Sequence, residues 1–141
     1  MLTDNKILSS KGIDMPKQTL ALHPEMFTIH SLPDHAPIPA VVFSAPIYFI
    51  GKTHDELSIV IPASIKIISD DSDTDWRALE LLGPLSLSMV GIMAQIGSVL
   101  AKVNVSIFVL STFETDFFLI KQAHLDTATQ ALISDGYKVN H

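Results

Sequence analysis

Two short stretches carry residue types suited to holding a small charged molecule. Residues 111–116, Ser-Thr-Phe-Glu-Thr-Asp, gather hydroxyls and two carboxylates in one turn, a set that suits an ammonium group. Residues 83–91, GPLSLSMVG, lead into an apolar run. A helix opening there offers unpaired backbone N–H groups and the positive end of its dipole, which suit a carboxylate. A free amino acid carries one group of each kind. The same residues also serve a plainer purpose. Ser86 or Ser88 can cap the helix, and residues 112–116 can be an ordinary hairpin turn with Asp in a usual place.

No constellation for catalysis or metal binding stands beside them. The histidines at 23, 30, 35, 54, 124 and 141 show no HxH, HxxxH or HExxH spacing and read as surface or capping residues. GPLSLSMVG holds no G-x-S-x-G elbow, and no Walker or Rossmann glycine loop is present. The acidic run at 70–75, DDSDTD, lacks the central glycine and distal glutamate of an EF-hand loop. Glu114 and Asp116 alternate, so an extended backbone would aim them at opposite faces rather than pair them for acid–base work. The expectation is a non-enzymatic protein without cofactor or metal.

Composition narrows the partners. The chain has 141 residues, 48% of them apolar, enough for one packed domain or two small lobes sharing a core. A net charge of −6 with nine Lys and Arg argues against nucleic acid and against anionic membrane surfaces. The absence of cysteine removes disulfides and thiolate chemistry and fits a cytoplasmic protein. Residues 1–15 lack the apolar segment of a signal peptide and read as a disordered leader.

Residues 81–101 carry no charge and are long enough to raise the question of a membrane span. Gly83-Pro84 must open the helix rather than sit inside it, and Ser86, Ser88, Gln95 and Ser98 would need partners in lipid. The run therefore predicts a buried helix over 88–102. Its small residues Gly91, Ala94, Ser98 and Ala101 form a smooth stripe for close packing on a sheet. A helix apolar nearly all round is covered on more than one side, here by its own sheet and by a second subunit or domain.

The remaining elements follow from periodicity and turn residues. TLALH and MFTIHSL read as two short strands broken by Pro24. AVVFSA is either a helical turn or a strand start. Residues 47–51 and 57–61 form a hairpin across KTHDE. Pro62-Ala-Ser reads as a brief helical turn, KIIS at 66–69 as a strand, and DDSDTD as an acidic connector between lobes. WRALELL, the apolar helix, VSIFVLST, DFFLIK, a helix over 121–135 with Leu125, Ala128, Leu132 and Ile133 on one face, and YKV complete a βαββαβ order, with Gly136 as the helix C′ residue. The expected class is α+β: two ferredoxin-like lobes, the first with reduced helices, at 16–70 and 75–141. They would form a degenerate internal repeat of about 60 residues.

The stretch GPLSLSMVGIMAQIGSVLAKVNVSIFVLSTFETDFFLIK closely resembles the core of ACT domains, small-molecule-sensing regulatory modules of amino-acid metabolism. The nearest branch looks like the tandem ACT proteins related to the C-terminal part of aspartate kinases and to cytosolic arginine sensors of animal cells. The resemblance covers residues 76–139 well and extends more weakly over the first half. It implies an effector pocket at an interface between lobes. Met89, Val90 and Gly91 with Phe113, Glu114, Thr115 and Asp116 would form one side. Asn104, Val105, Ser106 and Ile107 of the neighbouring lobe would form the other. Arginine-binding relatives look to carry an acidic residue in the helix-start loop, where this chain has Ser88-Met89. That substitution implies a smaller or more apolar amino acid. The chain is then expected to be a homodimeric amino-acid sensor acting on a regulated protein partner, or else an interaction module of the same fold that binds no ligand.

Overall fold

The computed structural model describes residues 17–82 and 91–141. Among these residues seven strands and two helices form an α+β architecture. The strands are β1 (Thr19–Leu32), β2 (Phe49–Lys52), β3 (Leu57–Pro62), β4 (Asp71–Leu81), β5 (Phe108–Ser111), β6 (Asp116–Lys121) and β7 (Lys138–Asn140). The helices are α1 (Ile92–Lys102) and α2 (Leu125–Ser134), with short 3-10 turns at Ala40–Ser44 and Gln122–His124. The sheet runs β2-β3-β1-β4-β6-β5, all antiparallel, and β7 adds in parallel to the first residues of β1.

β1 and β4 are the axis of the sheet. Pro24 does not break β1 in two, as its lack of an N–H suggested. It sits in a bulge between Leu22 and Met26, where the ladder to β4 is already interrupted. A second shift, between Phe27 and Ile29, falls opposite Asp75, whose φ of 68° takes up the extra residue on β4. The acidic run is thus no connector. Residues 71–75 are the start of β4, pairing with Ile29, His30 and Ser31 while every side chain from 71 to 75 stays in solvent.

Period-two alternation sorts the strands onto two faces. Phe118 and Ile120 of β6 join Leu20, Leu79 and Leu81 beneath the helices, where Ile96, Leu100, Ala128 and Leu132 meet them. Phe117 and Leu119 point the other way, toward Phe27, Val60, Trp76 and Ala78. On the helix-bearing side a third cluster, Leu32, Val42, Leu57, Ile59 and Ile61, lies beneath the 3-10 turn at Ala40–Ser44. The sheet curls around the Phe27–Trp76 cluster. Phe49 on one edge strand reaches Phe117 four strands away, with ring centroids 5.4 Å apart and edge to face.

Several expected elements are placed differently. The βαββαβ order would seat the last strand beside β4, but β1 already fills that edge, so β7 pairs with Thr19, Leu20 and Ala21. Residues 66–69 form no strand. Ile67 packs against the third cluster while Ile68 is 93% exposed, and pairing resumes only where the Asp70 N–H donates to the Ser31 carbonyl. The small-residue stripe of α1 faces outward. Gly91, Ala94, Ser98 and Ala101 are exposed, because the concave sheet is filled by the longer Ile96 and Leu100.

Both helices stop by the same device. After α2, Gly136 (φ 100°) donates to the Ile133 carbonyl and Tyr137 to that of Leu132, with both Leu132 and Tyr137 buried. After α1, Asn104 (φ 60°) donates to Ala101 and Val105 to Leu100. This cap uses residues 103–105, which is why β5 begins only at Phe108.

Candidate functional site

The hairpin joining β5 and β6 is closed by side chains. Ser111 and Asp116 face each other across the ladder, and the Ser111 hydroxyl donates to Asp116 Oδ1. Inside them the Thr112 N–H donates to the Thr115 carbonyl at 2.8 Å, and the Thr115 N–H to Thr112 Oγ1 at 3.1 Å. Phe113, 84% exposed, and Glu114 form the tip. The Thr115 hydroxyl then donates to the carbonyl of Leu81, the last residue of β4. That bond ties the acidic turn to the strand from which the chain proceeds toward α1.

Gly91 stands at the N-terminus of α1 with φ 84°, and no side chain among the described residues caps it. Its carbonyl accepts the first helical bond, from the Gln95 N–H at 2.8 Å. Met89 and Val90, with the caps expected from Ser86 and Ser88, lie outside the described residues. Asn104, Val105, Ser106 and Ile107 follow the opposite end of α1. Eleven residues of helix put about 16 Å between the two ends. Asn104 and Ser106 are exposed, Ile107 is half-buried, and Val105 belongs to the core at 5% exposure.

Beside this turn lies a cleft the sequence did not announce. It has a volume of about 340 Å³ between the edge strands β2 and β5, with Phe49, Val60, Phe108 and Leu110 as apolar wall and Glu56 and Ser111 among its polar lining. Ser111 is common to the cleft and to the Asp116 hairpin. The walls converge only because the sheet curls, so no local pattern marks them. Among the described residues no group of His, Asp and Glu is arranged to hold a metal ion, and no helix is long and apolar enough to cross a membrane.

Among the described residues three ionisable groups are displaced from their ordinary values. Burial, and secondarily Lys66, pushes His30 down. The bond to Asp135 holds the Lys17 ammonium up, and burial raises the Tyr137 phenol. None belongs to the hairpin.

Residues 71–134 match the model of the ACT domain family. The matched segment, just under half of the chain, is similar to an ACT domain. It begins with the acidic start of β4 and ends with the last turn of α2, so the ACT segment holds both helices and the hairpin. The chain is 29% identical over 117 residues to the cytosolic arginine sensor for mTORC1 subunit 1 of Mus musculus. That match takes in 77% of this chain but 35% of the mouse protein, so the chain spans about a third of that relative. A solved protein of Agobacterium tumefaciens superposes with a TM-score of 0.81 at 28% identity, covering 90% of this chain and 98% of its own. The regulatory subunit of aspartate kinase from Thermus flavus shares the fold, with a TM-score of 0.62 at 13% identity over 85% of this chain and 98% of that one.

Proposed function

We propose that this chain is a non-catalytic regulatory ACT protein that binds a free amino acid at an interface between ACT-like lobes, of one chain or of two. The observation that carries this is the bond from Thr115 to Leu81, which sets Asp116 and its hairpin beside the end of β4, the strand that precedes α1 in the chain. Asp116 receives the ammonium group, and the N–H groups near Val90 and Gly91 receive the carboxylate. Residues 104–107 lie a helix length away, so they complete the pocket only from a neighbouring lobe. In this reading the chain comprises two lobes, 16–70 and 75–141, after a leader at 1–15. It pairs as a homodimer through the exposed, uncharged face of α1 at Ala94, Ser98 and Ala101, and works in the cytoplasm on another protein. The mouse relative is an arginine sensor by name. Ser88-Met89 in the helix-start loop favours a smaller or more apolar amino acid here.

Thermal shift of the pure protein against each common amino acid tests the reading. Ligand at one hundred times Kd adds about 2.7 kcal/mol of stability. A flat response to all of them removes the sensing function. The exposed Phe113 and the bare α1 face then favour the second reading, an interaction module without a ligand.

A further inference from the structure

The bulge that accommodates Pro24 opens a cavity on the other side of the ACT-like segment. Four positions of β1, from Leu22 to Met26, span only two of β4, from Leu79 to Arg77, so β1 arches away from the ladder there. The cavity measures about 750 Å³ and is lined by Leu22, Pro24 and Leu125 on its apolar part and by Arg77, Gln122, Asp126 and His141 on its polar part. That size lies within the range of about 300–1,000 Å³ usual for small-molecule sites. The Arg77 guanidinium is held in place there, donating to Gln122 Oε1 at 2.9 Å and to the His23 carbonyl at 3.1 Å. A guanidinium has five N–H donors, so these two bonds orient it without exhausting it.

Asp126, in the first turn of α2, lines the same cavity. Among the described residues neither Arg77 nor Asp126 enters an ion pair, with each other or with any third group. Opposite charges thus share one solvent-open cavity without meeting. A carboxylate alone would answer Arg77 and leave Asp126, and an amine alone would do the reverse.

We propose that this cavity is a second binding site, taking a small zwitterion whose carboxylate bonds to Arg77, whose ammonium bonds to Asp126, and whose apolar side chain lies against Leu22, Pro24 and Leu125. The site is complete within one chain and does not depend on Asp116 or on a dimer.

Amide chemical shifts of the full chain, titrated with L-leucine, 4-methylpentanoate and 3-methylbutylamine, test it. The expected result is perturbation of the Leu22 and His23 amides and of residues 122–127 by leucine, with each single-charge analogue binding about tenfold weaker or worse. Asp126→Asn, at an exposed position in the first turn of α2, removes the leucine response there, while Asp116→Ala leaves it intact. Arg77→Lys also weakens it, and the exposed Asp126 variant keeps the test decisive should the Arg77 variant misfold. Leucine shifts confined to residues 91 and 111–116 overturn this site and leave the proposed function standing. Equal binding of 4-methylpentanoate, or an unchanged response in Asp126→Asn, overturns it as well.

Discussion

The hydroxyl of Thr115 is hydrogen-bonded to the carbonyl of Leu81, joining the tip of the β5–β6 hairpin to the end of β4 across 34 positions of sequence. A half-buried carbonyl at a strand end needs a donor, and here the donor comes from the turn that carries Asp116. The position of the acidic turn therefore follows from satisfying the end of the strand.

Thr115→Val removes that donor while nearly preserving shape. It is expected to cost about 1 kcal/mol in urea unfolding, the usual net value of one hydrogen bond, and Thr115→Ser to recover most of the loss. If Thr115→Val unfolds at the wild-type midpoint, the hairpin is positioned by something else.

The two helix caps predict opposite responses to glycine chemistry. At Gly136 a Cβ would meet Lys17 Cγ at 3.6 Å, an ordinary contact, so Gly136→Ala suffers from its φ of 100° and is expected to destabilise by about 1–2 kcal/mol. Asn104 already holds the left-handed position at φ 60°, and Asn104→Gly is expected to be neutral or slightly stabilising. Denaturant midpoints of the two variants check both.

Stability near neutral pH should carry a contribution from His30. Its pKa is lowered in the folded protein by burial and then by Lys66, so the unfolded chain binds the proton more readily. The contribution is fully present above the ordinary histidine value of about 6.5 and is lost as pH falls through the lower, folded value. His30 bonds Ser69 through Nδ1 at 2.8 Å. The stability gap between wild type and His30→Gln should narrow from pH 8 to pH 5, and a gap constant with pH would contradict the assignment.

The outward face of α1 predicts assembly. Ser98 is exposed in the single chain, so Ser98→Glu should leave the circular dichroism unchanged and the stability within about 0.5 kcal/mol of wild type when both are compared at a concentration where both are monomeric. The proposed homodimer should nevertheless dissociate in analytical ultracentrifugation. A dimer unchanged by Ser98→Glu would move the interface elsewhere.

The legible parts of the fold were those fixed by short-range pattern. Leu125, Ala128, Leu132 and Ile133 at helical spacing and Gly136 after them marked α2 and its cap, although Ile133 lies in solvent, and DFFLIK marked β6 to the residue. Misread parts depended on distant partners. Pro24 looked like a strand break because the bulge that tolerates it is defined by β4. Residues 71–75 looked like a linker because their charges hide the fact that the backbone alone pairs, with carboxylates left in water. The α1 stripe was assigned to the wrong side because small residues suit either a close sheet or a neighbouring helix, and only the core volume around Ile96 and Leu100 decides. For the site, residue types suggested Asp116 and the ACT resemblance agreed, but neither its tie to Leu81 nor the cavity at Arg77 leaves a local trace.

Calorimetric titration of wild type and Asp116→Ala with the amino acid that gives the largest thermal shift tests the central claim most directly. The account predicts saturable binding to wild type and at least about a tenfold loss of affinity in the variant, as expected when a charge-assisted bond to the ammonium group is removed. Equal affinity in both proteins, with both fully folded, would contradict it.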